Sequence, residues 1–163
     1  PLPKGEGGKV SGSLSPGERA RVRETSDSIE ADLYSCSVIV PARNEAGNIR
    51  GAIERLPQLG SHTEVIFVEG HSHDETWDEI QRVLAEGHPK FTIKAFQQTG
   101  KGKADAVRLG FAQATGDILM ILDADLTVQP EDLPHFYEVI SSDRGEFVNG
   151  SRLVYPRSGK AMP

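Results

Sequence analysis

A chain of 163 residues with 37% apolar content has enough material for one hydrophobic core, and one compact domain is expected. Its 24 Asp and Glu against 18 Lys and Arg argue against nucleic acid as a partner, because phosphate-backbone affinity rests on clustered cations; any phosphate here is expected on a small ligand. The single cysteine, Cys36, excludes an intrachain disulfide and a cysteine metal cluster and fits a reducing compartment, while the longest strictly apolar run, Ile118 to Leu122, is far short of the roughly 20 residues that cross a bilayer.

Residues 1–34 are rich in Gly, Ser, Pro and charge, with apolar residues too scattered to offset the entropy of ordering. A tail or linker is expected there, with a short helix possible within Pro16 to Glu30, and residues 35–163 form the domain. Neither an initiating Met nor a signal-peptide pattern is present, so an excised piece of a longer chain, cytoplasmic or at the cytoplasmic face of a membrane, is expected.

From Ser37 the character changes. Ser37-Val38-Ile39-Val40 is a β-branched run closed by Pro41, and Ile49, Ile53 and Leu56 then follow helical spacing. Glu64 to Val68 repeats the strand and Asp74 to Leu84 the helix, with Asp74 as a cap. Phe91 to Phe96 is a third strand, followed by a Gly/Lys loop and a helix carrying Ala106, Leu109, Gly110 and Ala114. Asp117 to Leu122 is the fourth strand. A helix opened by Pro130 runs to Ile140, and Glu146 to Val148 can form a further strand. Strands alternating with helices imply an α/β fold with a mostly parallel sheet between two helical layers. Ligands then bind at the carboxyl ends of the strands.

Four loops lie at those ends. In the last, Asp123 and Asp125 flank the small Ala124 directly after a buried strand; were the strand to continue, its period of two would put both carboxylates on one side, leaving room for a ligand. Two hard oxygen donors suit Mg²⁺ or Mn²⁺ bridging to a diphosphate, against the alternative of a capping or surface acid pair. In the first loop, Pro41 to Glu45, Asn44 and Glu45 either meet a ligand or cap the next helix. In the second, His71 and His73 lack a third ligand at convincing spacing for zinc and read as polar loop residues. In the third, Lys101 and Lys103 alternate with Gly100 and Gly102 ahead of a helix, as a phosphate cradle or a solvated basic loop, and no Walker A pattern is present.

Taken together, Val38 to Glu45, Gly102 to Arg108, Gly116-Asp117 with Asp123-Ala124-Asp125-Leu126, and Asn149-Gly150-Ser151-Arg152 resemble the family 2 glycosyltransferases of GT-A fold. The resemblance is especially to the polyprenyl-phosphate sugar transferases, and it runs from about Cys36 to Tyr155. It implies a Rossmann-like three-layer GT-A sandwich, incomplete at its carboxyl end, that forms the donor-binding part of a catalytic domain. It further implies that Pro41, Ala42 and Glu45 line a nucleoside pocket and that Asp123 and Ala124 meet the donor. Asp125, with Asp123, would hold the divalent ion, and Arg152 the acceptor phosphate. Where many members carry two Asp residues followed by Gly-Ser, this chain has Glu69-Gly70-His71-Ser72, with Glu69 expected to accept a hydrogen bond from the base. The implied partners are a GDP- or UDP-linked sugar and a polyprenyl phosphate, with peripheral membrane association through other parts of the protein. A nucleotide-sugar-binding module without turnover is the alternative.

Overall fold

The computed structural model describes residues 34–150. The expected tail before Tyr34, the helix within Pro16 to Glu30, and Arg152 lie outside the described residues. Runs dense in β-branched and aromatic residues form four strands: β1 (Cys36–Ala42), β2 (Thr63–Glu69), β3 (Phe91–Gln97) and β4 (Ile118–Ile121). Helices α1 (Ile49–Glu54), α2 (Thr76–Glu86) and α3 (Lys103–Gln113) connect them, and a 3₁₀ turn (Pro130–Asp132) leads into α4 (Leu133–Ser141).

The strands pair in the order β3-β2-β1-β4, every pair parallel. In β1 and β2, Val38, Ile39, Val40, Val65, Ile66 and Phe67 are all fully buried, as expected of strands covered on both faces. On one face Val38, Val40, Val65, Phe67 and Met120 pack with Ile49 and Ile53 of α1, Ile80 of α2 and Leu133 of α4. On the other, Ile39, Ile66 and Val68 pack with Ala106 of α3. Each large aliphatic side chain so buried contributes roughly 1.5–3 kcal/mol. Helix α3 can approach so closely because residue 110 is glycine: a Cβ there would lie 2.5 Å from Cγ2 of Ile39.

Three details differ from the sequence expectation. Strand β1 does not stop at Pro41 but runs through it to Ala42, although proline is rare in a central strand. The Ile39 carbonyl accepts from Leu122 N–H on the β4 side, while the Ala42 carbonyl accepts from Gly70 N–H on the β2 side. Pro41, alternating in step with Ile39, therefore turns its nitrogen toward β4, whose pairing has already ended at Ile121, and no ladder bond is lost. Next, the Pro130 to Ile140 helix is split. Pro134 has no N–H to continue an α-helical ladder back to Pro130, so the first turn closes instead through Leu133 N–H on the Pro130 carbonyl. Finally, Glu146 to Val148 forms no strand: it pairs with none of the four strands, and Phe147 is 84% exposed.

Candidate functional site

Strands β1, β2 and β3 end in register at Ala42, Glu69 and Gln97, β4 ends opposite Ile39, and backbone bonds carry the order one residue further. Gly70 N–H donates to the Ala42 carbonyl at 2.9 Å, Gln98 N–H to Glu69 at 3.0 Å and Leu122 N–H to Ile39 at 2.9 Å. The loops after all four strands thus begin from fixed points around one cleft of about 280 Å³.

The expected residues Pro41, Ala42 and Glu45 line that cleft together with Lys103, Asp123, Ala124 and Asp125. Strand β4 ends before the acid pair, so strand alternation does not orient it. Instead the chain turns, Leu126 N–H donating to the Asp123 carbonyl at 3.0 Å. Both acids still line the cleft, while Ala124 is 3% exposed and packs into the core beneath them. Oδ1 of Asp125 accepts from the Thr127 N–H and hydroxyl, each at 2.9 Å. Oδ1 of Asp123 lies 2.5 Å from Nζ of Lys103.

Helix α3 delivers Lys103. Its cap, Gly102, holds φ 84° and ψ 164°, a backbone conformation that side chains rarely allow, and its carbonyl accepts from Ala106 N–H. Gly100 N–H donates to Oδ2 of Asp105 at 3.1 Å, folding the Gly/Lys loop back on the first turn of the helix. Lys101 does not line the main cleft; it lines an adjoining one of about 310 Å³ together with Arg43, His71 and Gln98.

The second loop is held by hydrogen bonds of its own. Glu69 is 2% exposed and lines neither cleft. Its Oε1 accepts from Ser72 N–H at 2.5 Å and its Oε2 from the Gln97 amide at 3.1 Å. Burial pushes this carboxyl up, but hydrogen bonds from Ser72 and Gln97 outweigh it and hold it below the ordinary value. The loop is then stitched to the first one. Asn44 N–H donates to Ser72 Oγ at 3.0 Å, His73 N–H to Asn44 Oδ1 at 2.8 Å, and Glu45 N–H to Thr76 Oγ1 at 2.8 Å. Asp74, expected to cap α2, lies one residue ahead of the cap position Glu75; it accepts from Thr76 N–H at 3.0 Å and from Ala46 N–H at 3.3 Å. Its carboxyl is held low, chiefly by the Thr76 hydroxyl. His71 donates from Nε2 to the Gly100 carbonyl at 3.0 Å, tying the second loop to the third.

Glu45 does not cap α1 directly: Oε2 accepts from the Asn48 amide at 2.7 Å while the residue lines the cleft. Asn44, His71 and Leu126 hold φ of 57°, 58° and 52° in three of these loops. Each such non-glycine residue costs on the order of 1 kcal/mol, which the interlocked loops hold in place.

Sequence reasoning missed Arg43, Gln98, Val68 and Ala106 in the cleft wall. Arg43 sits inside the motif that was read, and Gln98 is a polar residue directly after a strand, so both carried a signal. Val68 and Ala106 read only as core. Among the described residues no group of three or more His, Cys, Asp or Glu side chains is placed to hold a metal. Asp123 and Asp125 offer two carboxylates to the cleft, a donor set that fits Mg²⁺ or Mn²⁺, which commonly take one or two carboxylates and complete their shell with substrate phosphate and water.

Residues 37–163 match the family described as Glycosyl transferase family 2. The dolichol-phosphate mannosyltransferase of Pyrococcus furiosus is 34% identical over 72% of this chain and 33% of its own length. An undecaprenyl-phosphate 4-deoxy-4-formamido-L-arabinose transferase of Pectobacterium carotovorum is 33% identical over 66% of this chain and 34% of its own. The chain thus spans about a third of the length of these curated relatives. Among solved structures, a mannosyltransferase from Pyrobaculum calidifontis, in complex with GDP-Man and Mn²⁺, superposes with a TM-score of 0.56 at 24% identity, covering 77% of this chain and 40% of that one. The glucosyl-3-phosphoglycerate synthase of Mycobacterium tuberculosis gives 0.53 at 24% identity, covering 67% and 42%. These neighbours have the GT-A fold, and the parallel sheet with helices on both faces described above is of that type.

Proposed function

The chain belongs to glycosyl transferase family 2, and we propose that it forms the donor-binding part of an enzyme that moves a sugar from a nucleotide-diphosphate sugar to a polyprenyl phosphate. One observation carries this reading: two carboxylates, a lysine at the amino end of a helix and the Pro41-Ala42-Glu45 wall meet in a single cleft at the carboxyl ends of parallel strands.

In this reading Asp125, with Asp123, holds Mg²⁺ or Mn²⁺. Such an ion, when bound, supplies charge neutralisation on the diphosphate leaving group. Lys103 and the first N–H groups of α3 add positive charge on the same phosphates. Pro41, Ala42 and Glu45 face the nucleoside. The acceptor phosphate oxygen forms the new bond to the anomeric carbon as the bond from that carbon to the β-phosphate oxygen breaks, and the nucleoside diphosphate leaves. A phosphate oxygen is already a competent nucleophile, so the chain contributes position and charge and need not remove a proton. Arg152 is assigned to the acceptor phosphate from its motif. GDP- and UDP-linked sugars are the candidate donors, in keeping with the GDP-Man in the Pyrobaculum complex. A lipid acceptor places the work at a membrane surface, and the cytoplasmic face is part of this proposal; among the described residues no helix is long and apolar enough to cross a membrane.

Calorimetric titration of UDP- and GDP-sugars into the full-length protein, with and without Mn²⁺, tests the proposal. Metal-dependent binding of one of them, lost in Asp125→Asn with the fold retained, is expected. Absence of metal-dependent binding by the wild type would overturn it.

A further inference from the structure

Gln98 is the buried polar side chain at the cleft for which the proposed reaction gives no task. It is the first residue past β3, is 4% exposed, and its Oε1 has no hydrogen-bond partner. A buried carbonyl oxygen without a donor has lost its water and gained nothing in return, so buried side-chain oxygens are nearly always paired. An unpaired acceptor on a residue that lines the cleft is a place for a ligand's donor. Gln98 lines both the main cleft and the adjoining one, and its backbone is fixed by its bond to Glu69. Gly70 lies alongside it: a Cβ there would sit in ordinary contact, 3.5 Å from the Gln98 Nε2.

Charge decides which donor fits. Diphosphate oxygens are acceptors and oppose a carbonyl oxygen, and a divalent ion is better served by Asp123 and Asp125. What remains on a nucleotide sugar is its hydroxyls and the N–H groups of its base. The adjoining cleft is lined by Gln98, Arg43, His71 and Lys101 but by neither acid of the pair. Gln98 therefore stands where the cleft holding Asp123 and Asp125 meets a second space that lacks them, and with the diphosphate at the acid pair the base is the far end of the molecule.

Resting on the proposed donor site, we infer that Gln98 is a base-reading residue whose Oε1 accepts the ring N–H of uracil or guanine. Cytosine and adenine present an acceptor at the equivalent ring nitrogen and are opposed. Glu69, the residue expected from the sequence to meet the base, is turned away into its bonds with Ser72 and Gln97, and Gln98 takes its place.

The test is calorimetric titration of UDP, CDP, GDP and ADP, each with Mn²⁺, into full-length wild type and the variants Gln98→Leu, Gln98→Met and Gln98→Glu, with thermal melts to establish folding. Wild type prefers UDP over CDP, or GDP over ADP, by about tenfold or more. Gln98→Leu and Gln98→Met, which remove the acceptor, bring that ratio toward one, while Gln98→Glu, which keeps it, retains the preference. A wild type that binds without preference, or a ratio unchanged in both apolar variants, overturns the base-reading role and leaves the donor site standing. Failure of the wild type to bind any of the four overturns both.

Discussion

Nζ of Lys103 lies 2.5 Å from Oδ1 of Asp123, an ion pair that joins the amino end of α3 to the loop after β4 within the cleft wall. Its side chains are 59% and 40% exposed, and pairs that wet contribute only about 0–1 kcal/mol. A contact so weakly held is easily exchanged for a phosphate oxygen. Lys103→Met is therefore expected to leave the melting temperature nearly unchanged and to weaken nucleoside diphosphate binding by roughly tenfold, the effect of one charge-assisted bond. Calorimetry at two salt concentrations checks both parts, since the variant should also show the shallower salt dependence. A large drop in melting temperature would instead make the pair a structural one.

A second carboxylate carries stability instead. Glu64 is 2% exposed. Oε1 accepts from the Ser37 hydroxyl at 2.5 Å and from Thr115 N–H at 2.6 Å, while Oε2 lies 2.6 Å from Nζ of Lys94. Burial alone would push this carboxyl up, but Lys94, Ser37 and Thr115 outweigh it and hold it at about 2, against an ordinary 4.5. A carboxyl lowered on folding contributes stability that is complete above its unfolded value and lost as the pH falls through that value toward the folded one. Melting temperature should accordingly fall between pH 4.5 and about 2. Glu64→Gln should flatten that part of the profile and cost about 3 kcal/mol at pH 7, because Lys94 loses its charged partner and a Gln amide group must face donors.

Gly110 tests how closely α3 must lie on the sheet. Alanine in a helix interior is ordinarily favoured over glycine by about 1 kcal/mol. Here the new Cβ meets Ile39 Cγ2 at 2.5 Å and Cγ1 at 2.9 Å, so Gly110→Ala is expected to destabilise by roughly 1–3 kcal/mol despite the better propensity. The same shift of α3 would displace Lys103 and weaken nucleotide binding. Adding Ile39→Ala should make the double variant less destabilised than the sum of the two single changes, measured by chemical unfolding.

The parallel sheet was legible because its signal is local. Runs such as Val38-Ile39-Val40 and Val65-Ile66-Phe67 are apolar at every position, which only strands buried on both faces require. The loops of the site were legible for a related reason, since polar residues directly after such a run must emerge at its carboxyl end. What was not legible depends on contacts between loops. Nothing local in Glu69-Gly70-His71-Ser72 says that the Glu69 carboxylate is taken by Ser72 N–H and the Gln97 amide, or that Asn44 and Ser72 join two loops. The strand expected near Glu146 failed similarly, because a strand needs a partner and sequence pattern does not supply one.

Thr127 offers the sharpest test of how the acid pair is set. Both its N–H and its hydroxyl donate to Oδ1 of Asp125 at 2.9 Å, so one carboxylate oxygen is oriented by a neighbour two residues away. If Asp125 holds the divalent ion, the hydroxyl acts on the metal through its ligand, and such outer partners are worth about 10–100-fold in metal affinity. Thr127→Val removes the hydroxyl while retaining shape and the backbone donor, so the lower end of that range is expected. The Mn²⁺ concentration needed for half-maximal nucleotide binding should rise by about tenfold, whereas nucleotide affinity at saturating Mn²⁺ should recover to nearly that of wild type. Thr127→Ser, which keeps the hydroxyl, should restore the metal requirement. A loss of nucleotide affinity that excess Mn²⁺ does not repair would mean that Thr127 supports the loop as a whole, and an unchanged Mn²⁺ requirement would remove Asp125 Oδ1 from the metal's side of the site.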